Sequence, residues 1–397
     1  MIRHRSHRTP PSRLGGVMLP DAEPIPSNGV LLHVGVHKTG TTAIQAALAD
    51  ARPQLKAAGV SYPGRLQAQH RAALAVLGRP WGWNTRGGSV VDRSHFDKLA
   101  RRTQRASGRV VISSEFFCEA PGDVAAGVVK DLGGDRVQVV VTLRNMGRLL
   151  PSSWQQYLKY GLTTPYERWL KDVFAPPGES KNMTPTFWRR HDHGDVLRRW
   201  TEAAGVGNVT VLVLENVDLS AQYRTFAQLL AVDPDVLVSR MNLTSNRSMT
   251  AAEAELLVRL NKKVKKELQW DEYVRYVRRG VALGMVEGRE PSPEEPRLHT
   301  PDWALDAAAE RGAAAVEVIR SLGVRVLGDL NALATRVPST PPLPEGAADL
   351  MPVDAGVQAV MTVIGAAREN PSSRYLAGQL WRRTRQQGRE KLRRGSA

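Results

Sequence analysis

Apolar residues along this chain fall first into short unbroken runs and later into helical spacing. The run VLLHVGV (Val30 to Val36) is continuous and ends in a glycine-containing turn, which reads as a buried strand. The following TAIQAALADARPQL places Ile44, Leu48 and Leu55 on one side, which reads as a helix. The alternation recurs without being a sequence repeat. RVVISS (Arg109 to Ser114), RVQVVVTL (Arg136 to Leu143) and NVTVLVLE (Asn208 to Glu215) are further runs rich in β-branched residues, separated by helical stretches. Continuous apolar strands between helices predict an α/β fold with a mainly parallel central sheet covered on both faces. Ligands of such a sheet gather at the carboxyl ends of its strands.

After Glu215 the pattern turns mostly helical. Thr250 and Glu253 have the spacing of a capping box, and the AELLVRLNKKVKKEL stretch that follows carries Leu256, Leu257, Leu260 and Val264 at helical spacing. Residues 1–28 are rich in Arg, Pro and Ser without apolar periodicity and predict a disordered basic tail. The α/β domain is expected over 29–335, a Pro-rich linker over 336–346 (within VPSTPPLPEG), and a basic helical C-terminal extension over 347–397.

With 397 residues, 42% of them hydrophobic, the chain can bury a large core. Its single cysteine, Cys118 in SSEFFCEA, has no internal disulfide partner and suits a buried thiol in a reducing compartment. No apolar run reaches the roughly 18 residues of a membrane span. The first residues also lack the apolar stretch of a secretory signal, so a cytoplasmic protein is expected. The net charge of +16 invites anionic partners: nucleic acid, an anionic membrane or a small anion. Part of it lies in MIRHRSHR and WRRTRQQGREKLRRGSA, which contain no recognised nucleic-acid-binding motif and read as solvated tails. Peripheral contact of the basic C-terminus with the inner face of a membrane is a further expectation; specific nucleic acid binding is not.

The turn after the first strand carries the first chemical signal. In VGVHKTGTTAIQ, Gly35, Lys38, Gly40, Thr41 and Thr42 supply backbone N–H groups, a cation, hydroxyls and a helix N-terminus, the parts of an anion cradle. A nucleoside-triphosphate loop reads GxxxxGK[ST], whereas here Thr41 follows Gly40 and the lysine lies inside the turn. The segment resembles instead the 5′-phosphosulfate loop of the sulfotransferases that use 3′-phosphoadenosine-5′-phosphosulfate (PAPS), a Lys followed by [ST]GTT. The resemblance implies a P-loop-like sandwich in which Lys38 meets the 5′-phosphate and the bridging oxygen, and Thr39, Gly40, Thr41 and Thr42 hold the phosphate, with His37 assisting.

A second match comes later in the chain. The family places an Arg at the end of a strand and a Ser eight positions on, both on the 3′-phosphate. Here Arg144 closes the run RVQVVVTL, and Ser152 stands eight residues on, with Pro151 expected in the first helical turn and Ser153 as neighbour. The resemblance, closest to a bacterial branch, covers roughly residues 30–261. It also marks Arg247 and Ser248 in NRSMTAAEAELL as late 3′-phosphate contacts, and Trp154, Gln155 and Lys159 as residues facing donor or acceptor. Ala43 stands where some members stack a Trp on adenine, and the element that closes their nucleotide site is not evident, so no adenine contact is assigned.

For the base that takes the acceptor's proton the sequence offers two candidates, Glu115 at the end of its strand and His70 in LQAQHRAAL. Glu115 is preferred. His33 is expected to pack in its strand, and His191 and His193 to sit at a helix start capped by Asp192 or Asp195. The resemblance implies a PAPS donor, no metal, and a hydroxyl or amine acceptor on a carbohydrate, glycolipid or secondary metabolite. The competing readings are an atypical P-loop kinase using Mg-ATP and a basic nucleic-acid-binding protein on a degenerate nucleotide-binding fold.

Overall fold

The four apolar runs become four adjacent strands of one sheet. A computed structural model describes residues 19–83, 85–241 and 247–368 of the chain. Its central sheet consists of β1 (Val30–His33), β2 (Val60–Ser61), β3 (Arg109–Ser113), β4 (Val137–Leu143), β5 (Val209–Val213) and β6 (Arg325–Leu327). Their order is β2-β3-β1-β4-β5-β6, and every pairing is parallel. The edge strands β2 and β6 are too short to leave a periodic signal in the sequence.

Successive residues of the strands face opposite ways and build two cores. Leu31, Val111, Val140 and Leu212 pack with Ile44 and Leu48 of α1 (Thr41–Asp50) and with Phe226. Leu32, Ile112, Val141 and Val211 pack on the other face with Phe96, Val128 and Trp200. The result is the three-layer α/β sandwich expected from the unbroken apolar strands. Cys118 lies in the second of these cores, and burial pushes its thiol pKa up.

This strand order sets where a ligand can sit. From β1 the chain passes to one side of the sheet, toward β2, and from β4 to the other, toward β5. The crevice between the carboxyl ends of β1 and β4 is therefore the topological switch point.

After β4 the chain enters α2 (Met146–Leu158). The Asn145 side chain fixes the start of α2 by accepting from the Gly147 N–H at 2.9 Å, while its amide donates to the Ala332 and Thr335 carbonyls at 2.8 and 2.7 Å. Pro151, expected in the first turn, consequently lies inside the helix. Asp192 caps α3 (His193–Ala204) by accepting from the Asp195 N–H, one of the two caps expected. The capping box of Thr250 and Glu253 opens α4 (Ala251–Val264) as the spacing required. A third core of Trp154, Trp169, Phe187, Leu257 and Tyr273 joins these helices beyond the strand ends.

Both ends of the chain differ from expectation where they are described. Ala22 and Ile25 are buried, and the Ile25 N–H donates to the Leu229 carbonyl at 2.9 Å, so the segment from Leu19 joins the domain instead of a loose tail. Two apolar residues set among Asp, Glu and Pro are too few to register as a periodic pattern. Near the other end, α5 (Val353–Arg368) carries only Asp354 and Arg368 as charges and is not basic. It lies on Tyr273–Gly288 so closely that a side chain at Gly284 would overlap Thr362. Arg289 ties it down, pairing with Asp354 at 2.7 Å and with Glu253 at 2.9 Å. The strongly basic stretches of both tails fall in residues 1–18 and 369–397, outside the described residues.

Candidate functional site

The turn from Val34 to Gly40 is held against β4. The Val34 and Val36 N–H groups donate to the Val140 and Thr142 carbonyls at 2.9 and 3.3 Å, extending the ladder past β1. Thr39, buried, donates its hydroxyl to the Val36 carbonyl at 2.7 Å and lies 2.8 Å from the Thr142 hydroxyl. A Cβ on Gly35 would overlap the Thr41 methyl and come within 2.9 Å of His33 Nε2, so only glycine fits. Gly35→Ala is expected to distort the turn and to lower the melting temperature, read by calorimetry.

Lys38 has φ 72° and Gly40 φ 79°, both left-handed. For lysine that conformation costs about 1–2 kcal/mol. Strained non-glycine residues of this kind cluster at functional sites. Gly40 starts α1 without a side-chain cap, and the Thr41 and Thr42 N–H groups have no acceptor among the described residues. These are the open donors of a helix N-terminus, positively polarised and aimed out of the turn.

The two base candidates are neighbours. Ser114 caps the short helix Glu115–Glu119. His70 Nδ1 lies 2.9 Å from the Ser114 hydroxyl and 3.7 Å from Glu115 Oε2. The amide of Gln45, from α1, donates to Glu115 Oε2 at 3.1 Å. Burial would raise the Glu115 pKa, but His70, His37 and the Gln45 amide outweigh it and hold the carboxyl below its usual range. His33 bonds through both ring nitrogens, to Ser113 at 2.8 Å and Thr142 at 3.2 Å, and burial pushes its pKa down to about 4. It packs in the strand as expected.

Arg144 stands at the end of β4, beside the turn. Its Nε lies 3.5 Å from the buried Glu215 carboxylate, which also takes Arg148 at 3.0 Å, and its side chain is 43% exposed. Lys38 is pulled down in pKa by burial, up by Glu115 and down by Arg144, so the three groups share one electrostatic neighbourhood. Ser152 sits in the second turn of α2 and donates to the Leu149 carbonyl at 3.0 Å, while Ser153 is buried 3.1 Å from His191 Nε2. Because Asn145 moves the helix start forward, neither hydroxyl lies at the helix N-terminus.

Arg247 is differently employed. Its guanidinium forks onto the buried Glu253 carboxylate at 2.7 and 2.8 Å, and its remaining N–H groups reach the Ser248, Met285 and Arg289 carbonyls. All five donors have protein acceptors, which leaves none for a phosphate in this conformation. Ser248 contributes its carbonyl to Arg247 and to Arg297.

Two features go beyond the sequence reading. Lys159, at the end of α2, is lowered in pKa to about 8, by burial and then by Lys38 and Arg278 nearby. The YLKY segment marked it only as a residue facing donor or acceptor. The second is a buried charge cluster. Glu119, 1% exposed, pairs with Arg190 Nε at 2.9 Å and with Arg79, and His37 Nε2 of the turn lies 3.3 Å from the same carboxylate. Burial alone would raise the Glu119 pKa, but Arg190 and its other partners hold it far below the usual range. A cavity of about 450 Å³ opens over this cluster. Among the described residues, no group of three or more His, Cys, Asp or Glu has metal-holding geometry, and no helix is long and apolar enough to cross a membrane.

No family model matches the chain, and no curated protein does. Among solved structures, a sulfotransferase from Alicyclobacillus acidocaldarius aligns at 14% sequence identity with a TM-score of 0.38, over 64% of this chain and 99% of that one. A likeness of that size assigns no activity.

Proposed function

We propose that the chain is a PAPS-dependent sulfotransferase that moves a sulfuryl group to a hydroxyl or amine by in-line attack. The observation that carries this is the meeting of the Lys38–Thr42 turn, Arg144 and the Glu115–His70 pair at one switch point. Open N–H groups on a helix start suit a 5′-phosphate, and a guanidinium at the next strand end suits a second phosphate. A nucleotide phosphorylated at both ends distinguishes PAPS from ATP. Ser152 would add a hydroxyl to the second phosphate by releasing the Leu149 carbonyl.

In the reaction the acceptor oxygen or nitrogen forms a bond to sulfur while the sulfur–oxygen bond to the 5′-phosphate breaks. The electron pair of that bond stays on the phosphate, where Lys38 neutralises the developing charge. The acceptor proton passes to the Glu115–His70 pair. A carboxyl held below its usual range is a weak proton acceptor, whereas His70, held at Nδ1, turns Nε2 away from Ser114 and Glu115. In this reading His70 takes the proton and Glu115 stabilises the imidazolium.

The test is thermal. At about 100 times its Kd, 3′-phosphoadenosine-5′-phosphate without Mg²⁺ is expected to stabilise the fold by about 2.7 kcal/mol. For a chain of this size that corresponds to a rise of roughly 3–4 °C in melting temperature. A rise with Mg-ATP alone would favour a kinase. No response to either, together with duplex DNA binding on a steep salt slope, would favour a nucleic-acid-binding protein.

A further inference from the structure

The cavity over Glu119 is walled mainly by aromatic rings, several of them standing at right angles. Tyr160 and Trp270 lie nearly parallel, with centroids 6.0 Å apart and planes at 16°. Trp81 stands perpendicular to Tyr160 at 87° and to Phe116 at 81°. The walls form an apolar corner, and Arg79, Glu119 and Arg190 line the same space. Its volume of about 450 Å³ is at the lower end of the range for small-molecule sites. Phe116 borders the cavity and the base pair alike: it lines the cavity, and its ring centroid lies 5.2 Å from those of His70 and of His37. An acceptor in the cavity would thus lie beside the residues that flank the base pair and the Lys38 turn.

The combination of surfaces selects among occupants. An aliphatic chain would set hydrocarbon against ionised arginines and a carboxylate, at a desolvation cost with no return. A phenol would stack on the rings but offer one hydroxyl to two guanidinium groups. A pyranose has an apolar C–H face for an indole and several hydroxyls that accept from guanidinium groups. We infer that this cavity is the acceptor site and takes a pyranosyl ring, with its C–H face on Trp81 or Trp270 and its hydroxyls toward Arg79 and Arg190, which the buried Glu119 holds in place. The inference rests on the sulfuryl-transfer reading for its chemistry, but the binding itself does not.

Saturation-transfer NMR on the full chain tests it, with methyl β-galactopyranoside, methyl β-glucopyranoside, methyl α-mannopyranoside and 4-methylphenol as probes. At least one glycoside should show saturation on its ring C–H protons, reduced fivefold or more in Trp81→Ala or Trp270→Ala and retained in Lys38→Ala. Should an alanine variant unfold, Trp81→Phe and Trp270→Phe carry the same comparison in the same direction. Saturation of 4-methylphenol alone, no saturation of any probe, or glycoside saturation that survives every tryptophan substitution would overturn the proposal. Loss of the glycoside signal with the nucleotide thermal shift intact removes the acceptor class and leaves the donor reading. The reverse pattern removes the donor reading and leaves a sugar site.

Discussion

Under the proposed sulfuryl transfer, replacing Lys38 with alanine is expected to slow transfer of labelled sulfate from PAPS to a host metabolite extract by about 10²–10³-fold, the usual consequence of removing one preorganised charge from a leaving oxygen. The fold should survive, because alanine keeps the left-handed backbone that Lys38 already tolerates at φ 72°. Lys38→Gly sharpens the test: it relieves strain of about 1 kcal/mol, so the melting temperature should hold or rise while activity is lost to the same extent. Arginine should not restore the rate, since a compact point charge and a planar fork meet a bridging oxygen differently. Full activity in Lys38→Ala would remove the lysine from the reaction. Unfolding of Lys38→Ala together with a stable Lys38→Gly would reduce its role to backbone geometry.

How much of this was legible in the sequence depended on the distance over which each signal acts. Four strands were readable because burial on both faces makes them continuously apolar, and the Gly35–Thr42 turn was readable because all its parts lie within eight residues. The start of α2 was misplaced because Pro151 is a strong local signal, while the cap that prevails, Asn145, is secured by carbonyls some 190 residues away. Arg247 and Glu253 both drew notice, Glu253 as half of a capping box, but nothing local announces that the same carboxylate also holds Arg247 and Arg289. The two base candidates looked like alternatives in sequence, 45 residues apart, yet the connection from β2 brings His70 beside the end of β3 and makes them one pair.

The charge cluster at Glu119 was beyond reach for the same reason. Arg79 lies 40 residues before it and Arg190 71 residues after it, and the HDHG segment following Arg190 read only as a helix start. The cavity was equally hidden, since WGW, YLKY and Trp270 each look like ordinary core aromatics until the fold sets them at one corner.

Glu119→Gln should therefore have consequences out of proportion to one neutralised oxygen. Removing one partner of a buried ion pair costs about 3–5 kcal/mol, because the other charge stays desolvated without compensation. In a chain of this size that is a fall of roughly 4–6 °C in melting temperature. The pH dependence carries the sharper signature. The folded-state pKa of Glu119 is depressed below its ordinary 4.5, so its contribution is fully present above that pH and is lost as the pH falls. Denaturant midpoints should differ widely between wild type and Glu119→Gln at pH 7 and converge on acidification. An equal gap at pH 7 and pH 3.5 would assign the loss to packing instead of charge. Because Glu119 meets both His37 of the donor turn and Arg190 of the cavity, the same substitution should also weaken 3′-phosphoadenosine-5′-phosphate and glycoside binding together, whereas Trp81→Ala should weaken only the second.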